Sequence, residues 1–148
     1  MKLGLALPHY DCSYPGPGPA TFDRIARYAE LAESLGFHQV WVSDHFWLDL
    51  RRYGGPPGPQ GTPECWTTLA GLAARTGSVR LGTLVMAAGF RPPALLAKMV
   101  ATLDQLSGGR LDVGVGAGWH EAEFRAGGYD FPPPGERLAM LEETVGVL

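Results

Sequence analysis

The chain is poor in cysteine, in clustered basic charge and in long apolar runs, and each shortage excludes a class of protein. Only two cysteines occur, Cys12 and Cys65. They form no Cys-x-x-Cys pair and have no His-x-x-x-His nearby, so neither a disulfide framework nor a zinc module is indicated, and free thiols in a reducing cytosol are expected. Twelve Lys and Arg against fifteen Asp and Glu give a net charge of −3. The basic residues are dispersed, so no patch is present to neutralise phosphates or to hold an anionic bilayer, and no nucleic-acid or membrane partner is expected. No stretch approaches the roughly 18 apolar residues of a membrane span. The apolar run after Met1-Lys2 ends at Pro8, too soon for a signal-peptide core. A cytoplasmic protein is the expectation.

The 148 residues, 45% of them hydrophobic, suffice for one buried core, read as a single domain over 1–148. Apolar runs at residues 3–7, Val40-Trp41-Val42, 79–86 and 111–115 do not alternate with polar residues, the pattern of strands covered on both faces. Helical periodicity fills the gaps. Phe22, Ile25, Ala26, Ala29, Ala32 and Leu35 share one face, with Thr21 as cap and Gly36 as stop. A second helix is expected from a Thr62 cap and Pro63 through Trp66, Leu69, Ala70 and Ala73 to Gly77. A third runs from Pro93 to Leu106, closed by Gly108-Gly109. A fourth begins near Glu136, with Leu138, Leu141, Val145 and Leu148 at helical spacing, and the chain is read as stopping inside it.

The fold class is thus α/β: a strand–helix unit repeated four times, compatible with an open doubly wound sheet or with a barrel. Helix-to-strand links are short, whereas strand-to-helix links are long, at residues 8–20, 43–63, 87–92 and 117–135. The elaboration lies at the carboxyl ends of the strands, where ligands bind in both architectures. The 43–63 link, with Gly54-Gly55-Pro56-Pro57-Gly58-Pro59, is long enough for a lid or binding loop.

Asp44 and His45 follow the second strand directly. A histidine there can exchange protons near neutral pH, and a neighbouring carboxylate can fix its tautomer. His9 and His120 fall just past the first and fourth strands, so three histidines are expected to face one opening. Without a paired His-x-His or Glu-x-x-His element no metal is expected, and a metal hydrolase on His9, His45 and His120 is the minor alternative. Gly114-Val115-Gly116-Ala117-Gly118 lets a flat ligand or phosphate approach the backbone, but it is no dinucleotide fingerprint, since Trp119 or Glu121 stands where the third glycine would be.

Ser43-Asp44-His45-Phe46, Leu81-Gly82-Thr83, Phe90-Arg91-Pro92, Leu106-Ser107-Gly108-Gly109-Arg110 and Gly114-Val115-Gly116-Ala117-Gly118-Trp119-His120-Glu121, in this order, resemble the luciferase-like monooxygenase family, above all its coenzyme F420-dependent branch. The resemblance implies a TIM (β/α)8 barrel, of which this chain is the N-terminal half with four β/α units. It implies F420, or alternatively FMN, at the strand ends, with hydride transfer or oxygen activation on a small organic substrate. By position, Asp44 and His45 would border the ring, His45 as the proton-transfer residue. Leu84 and Val85 would form the strand-end bulge where the family often has a non-proline cis peptide, and Gly116, Ala117 and Gly118 would line the other edge. Trp119 stands where the family's sugar-phosphate dehydrogenases carry a second acid, so that substrate is not assigned. A full barrel takes about 250 residues. A non-catalytic half-barrel that associates with itself or with a complementing half is therefore the second reading.

Overall fold

The computed structural model describes residues 1–15 and 18–148; residues 16 and 17, inside the long link expected after the first strand, lie outside the described residues. Four parallel strands form the main sheet: β1 (Gly4–Ala6), β2 (Gln39–Val42), β5 (Arg80–Ala87) and β6 (Leu111–Gly116), in the spatial order β1-β2-β5-β6. Helices α1 (Phe22–Ser34), α2 (Cys65–Arg75) and α3 (Pro93–Ser107) connect successive strands, and α5 (Pro134–Val147) follows the fourth. Strand order equal to chain order, with a helix after every strand, is the arrangement of half a (β/α)8 barrel.

The 43–63 link is not irregular: β3 (Trp47–Asp49) and β4 (Pro59–Gly61) pair as an antiparallel hairpin. Asp11 ties it to the first link, its two carboxylate oxygens accepting from Ala20 N at 2.8 Å and Gly61 N at 3.0 Å. The fourth link carries α4 (Glu121–Ala126). Neither element was legible in the periodicity, because three-residue strands and a two-turn helix are too short to show a period.

Along each strand the side chains point alternately to two faces. Val40, Val42, Leu81 and Thr83 turn toward the helices and are almost completely buried with Ile25, Ala29, Leu69 and Leu72. The register puts Gly4, Trp41, Gly82 and Asp112 on the opposite face. There the Trp41 indole lies over both glycines, since a Cβ at Gly4 or Gly82 would come within 2.6 or 2.4 Å of it. Below Trp41, Asp112 accepts from Gln39 at 2.7 Å and from Arg80 at 2.7 and 2.6 Å.

The helix ends follow local chemistry. Thr21 caps α1, its hydroxyl accepting from Arg24 N, and Gly36 turns the chain out at φ 77. Gly108 closes α3 in the left-handed conformation, which suits a residue without Cβ. The α2 start differs from the expected Thr62 and Pro63. Glu64 is the cap, its carboxylate accepting from Trp66 N at 3.0 Å and Thr67 N at 2.6 Å, while the Thr62 hydroxyl donates to Pro63 O. A carboxylate reaching two free amides outcompetes a hydroxyl already engaged elsewhere. Leu35, the α5 residues Leu138 and Val145, and Leu148 just past that helix are exposed, and Thr144 is the buried α5 residue.

Glu33 joins α1 to the α2–β5 link. One of its oxygens accepts from Gly77 N, Ser78 N, the Ser78 hydroxyl and Val79 N, at 3.0, 2.5, 3.0 and 2.9 Å. Burial acts to raise this carboxyl, but the four donors outweigh it and pull it from 4.5 to about 2. A folded-state value below the unfolded one means stability present above pH 4.5 and lost as pH falls toward 2. Glu33→Gln is therefore expected to lose about 1 kcal/mol in urea unfolding at pH 7. Its deficit relative to the parent should shrink to nothing between pH 4.5 and 2; a deficit independent of pH would show that the charge is not what holds the link.

Candidate active site

A cavity of about 300 Å³ opens where β2, β5 and β6 end. Asp44, His45, Leu84, Val85, Gly116, Ala117 and Gly118 all line it. So do residues not assigned to it from the sequence, among them Phe90, Trp119, Glu123 and Phe124. Its outer wall rests on a second, smaller core in which Ala87, Phe90 and Phe124 are buried against Tyr129 and Phe131.

Asp44 is buried and fully committed within the protein. It accepts from Ala87 N at 3.0 Å and from both terminal nitrogens of Arg91 at 2.7 and 3.0 Å. Arg91 also donates to Glu64 at 2.6 Å. Burial disfavours the guanidinium, yet the two carboxylates outweigh it and raise its pKa, while the same contacts and the α2 amides lower that of Glu64 against its own burial. One bidentate fork thus locks the ends of β2 and β5 to the start of α2. Of the two adjacent residues Asp44 and His45, only His45 keeps a free polar atom for the cavity.

His45 is held by the α4 residue Glu123. Its Nδ1 lies 2.8 Å from Glu123 Oε2. Glu123 is buried, and its other oxygen accepts from Phe46 N and, at 3.2 Å, from Trp47 N. Burial would raise the Glu123 carboxyl, but the bonds from His45, Phe46 and Trp47 outweigh it and hold it below the usual carboxylate range. An ionised Glu123 accepts, so His45 Nδ1 carries the donated proton and its Nε2, which has no partner among the described residues, presents a lone pair. His120 joins the group, its Nδ1 3.4 Å from Glu123 Oε2. His45, His120 and Glu123 form a cluster of metal-ligating type among the described residues.

His9 does not join them. Its Nδ1 donates to Leu7 O at 2.6 Å, leaving Nε2 to accept from the Ser43 hydroxyl at 2.7 Å, and burial depresses its pKa. A metal set built on His9, His45 and His120 is therefore not assembled. Glu123 belongs to no motif legible in the sequence; only the turn of α4 carries it, two positions after Glu121, back to His45.

Leu84 and Val85 present exposed side chains to the cavity, and the Leu84–Val85 peptide bond is cis. Across from them the backbone approaches so closely that a Cβ at Gly114 would meet Thr83 O at 2.6 Å and one at Gly116 would meet Val85 at 2.8 Å. Gly118 adopts φ 78, and a Cβ there would strike Phe124. The floor is thus kept flat and free of side chains by glycine.

Comparisons with known proteins bear on the family and the fold. The family model described as luciferase-like monooxygenase matches residues 1–148. An F420-dependent glucose-6-phosphate dehydrogenase of Amycolatopsis mediterranei is 38% identical over 125 residues, which are 84% of this chain and 36% of that protein. Among solved structures, the monooxygenase RslO1 of Streptomyces bottropensis superposes with a TM-score of 0.76 at 36% identity, over 99% of this chain and 41% of that one. An F420-dependent secondary alcohol dehydrogenase, solved with an F420-acetone adduct, superposes with a TM-score of 0.75 at 27% identity, again over 99% and 41%. The chain thus spans between a third and a half of the length of these relatives. Four β/α units in barrel order, with a glycine-floored cavity at their carboxyl ends and a family match along all 148 residues, make this chain a member of the luciferase-like monooxygenase family.

Proposed function

We propose that this chain supplies the ring-binding and proton-handling part of an F420-dependent oxidoreductase site, with FMN as the alternative cofactor. The observation that carries the reading is His45: one nitrogen is held by a buried carboxylate and the other is left free at a cavity whose floor is glycine. The residues fit a planar tricyclic ring. Leu84 and Val85 offer an apolar face, Gly116 and Gly118 bring no side chain of their own to the opposite edge, where Ala117 adds only a methyl group, and Trp119 is half-exposed beside it. Such a ring, when bound, supplies hydride transfer, or oxygen activation if it is FMN.

The chain's own part is positioning and proton transfer. Glu123 fixes the His45 tautomer with Nδ1 protonated, so that Nε2 can take a proton from, or as imidazolium return it to, a small organic substrate. The buried Phe90 and Phe124 make that wall of the cavity apolar, and the Asp44–Arg91 fork ties the two strand ends together. F420-dependent relatives at 38% and 27% identity support the deazaflavin choice. Among the described residues no helix is long and apolar enough to cross a membrane.

A second reading rests on the inner face of the sheet. Gly4 and Ala6 of β1 are exposed, and β1 and β6 each have one unpaired edge. Such edges recruit strands, so self-association or a complementing half-barrel is the corresponding proposal. Size-exclusion chromatography with titration by F420 and FMN separates the two. Saturable one-to-one binding with a perturbed ring spectrum is expected, weakened at least about tenfold by Leu84→Asp, which would place an unpaired charge on the apolar ring face. No spectral change with either ring, whatever the oligomeric state, would overturn the cofactor reading.

A further inference from the structure

Glu123 faces two imidazoles with a single oxygen. Its Oε1 is occupied by the Phe46 and Trp47 amides, while Oε2 stands 2.8 Å from His45 Nδ1 and 3.4 Å from His120 Nδ1. The second of these is not a hydrogen bond: His120 Nδ1 is buried with no hydrogen-bond partner. A buried polar atom left so is destabilising unless something pairs with it. His120 is also fixed in place, edge-on to Trp47 at 4.7 Å and tilted against Trp119 at 5.1 Å between ring centres, so the orphaned nitrogen cannot swing freely to solvent.

We propose that His45, His120 and Glu123 bind one divalent transition-metal ion of the zinc class. The three ligand atoms lie within 4.8 Å of one another. In a tetrahedral zinc site with bonds of about 2.0–2.1 Å, ligand atoms are about 3.3–3.4 Å apart. His120 Nδ1 and Glu123 Oε2 already have that spacing, the His45–Glu123 edge has to lengthen by roughly half an ångström, and the edge between the two imidazoles, at most 4.8 Å, has to close toward the same value. Two neutral imidazoles and one carboxylate favour Zn, Co, Ni or Fe(II) over Mg and Ca, which prefer all-oxygen shells. The Phe46 and Trp47 amides hold the outer oxygen of the ligating carboxylate, the kind of support that orients metal ligands. Three protein ligands leave a fourth position for water, as in exchangeable zinc sites.

The ion and the proton compete for the same atoms. Metal on His45 Nδ1 removes the proton that Glu123 holds there and fixes the remaining ring nitrogen as a donor only. If the proton-transfer role of His45 is correct, zinc is then a reversible inhibitor of this site; that consequence rests on the proposed function, whereas the binding itself does not.

The test is therefore binding, without cofactor or substrate. The chain is stripped with a chelator and titrated with Zn²⁺ by calorimetry and with Co²⁺ by visible absorption. One ion per chain with the ligand-field bands of four-coordinate Co²⁺ is expected, with a rise in melting temperature. His120→Ala and His45→Ala should each weaken binding at least about tenfold, while His9→Ala leaves it unchanged and Mg²⁺ does not compete. The thermal melt of each variant establishes that it is folded. No stoichiometric Zn²⁺ uptake, or uptake undiminished in folded His120→Ala and His45→Ala, would overturn the site. Failure of F420 or FMN to bind would leave it standing.

Discussion

Replacing His45 by alanine is expected to lower turnover of the cofactor-loaded protein by two to four orders of magnitude, with cofactor affinity changed by no more than about threefold, because a positioned proton donor or acceptor contributes roughly 10²–10⁴ in rate. The asymmetry follows from the geometry. His45 contributes one edge of the cavity wall, whereas the ring would rest on Leu84, Val85 and the glycine floor, none of which the substitution touches. Glu123→Gln should fall between the parent and His45→Ala in kcat. The amide retains the shape but no longer specifies which His45 nitrogen is protonated, since it can present its own N–H to Nδ1. Steady-state kinetics together with a cofactor titration read the two effects separately. Loss of affinity in step with loss of rate would show that His45 binds rather than transfers.

Asp44→Asn is expected to destabilise the fold by about 3 kcal/mol or more, because removing one partner of a buried, hydrogen-bonded ion pair strands the other. Arg91 would keep only Glu64, which is much less buried, and Ala87 N would lose its charged acceptor. The double variant Asp44→Leu with Arg91→Met should be less destabilised than the two single losses added together, since it removes both charges at once and leaves neither unpaired. Urea unfolding of the four proteins gives the coupling directly. Additive losses would mean that the fork contributes nothing as a pair. Adjacent in sequence, Asp44 and His45 thus separate in consequence: substitution at the first is read in stability, at the second in rate.

Much of the fold was legible because its signals are local. The four apolar runs, the Thr21 cap, the Gly36 and Gly108 turns and the asymmetry between short and long links each depend on a few neighbouring residues. The α2 start was misplaced because Glu64 becomes a cap partly through Arg91, 27 positions away, which holds its carboxylate. The β3–β4 hairpin and α4 escaped notice for a related reason. Their stability comes from Asp11 and from the Phe90–Phe124 cluster, not from any internal periodicity. The helical spacing near the end of the chain was legible as α5, but spacing alone does not say which face is covered: Leu138 and Val145 are exposed and Thr144 is buried.

The α/β class, the four-unit repeat, the long links at the carboxyl ends of the strands and the positions Asp44, His45 and Gly116 to Gly118 are legible in spacing and residue type along short stretches, whereas Leu84 and Val85 came with the resemblance to the family; the structure lines one cavity with all of them. What each side chain does there depends on the packing of distant segments. That packing turned Asp44 inward to Arg91, gave His45 its carboxylate in Glu123 across 78 positions, set His9 on Leu7 and Ser43, and left His120 Nδ1 without a partner. A carboxylate, an imidazole or a guanidinium acquires its role from the charge or dipole opposite it, and those partners are neighbours in space, not in sequence.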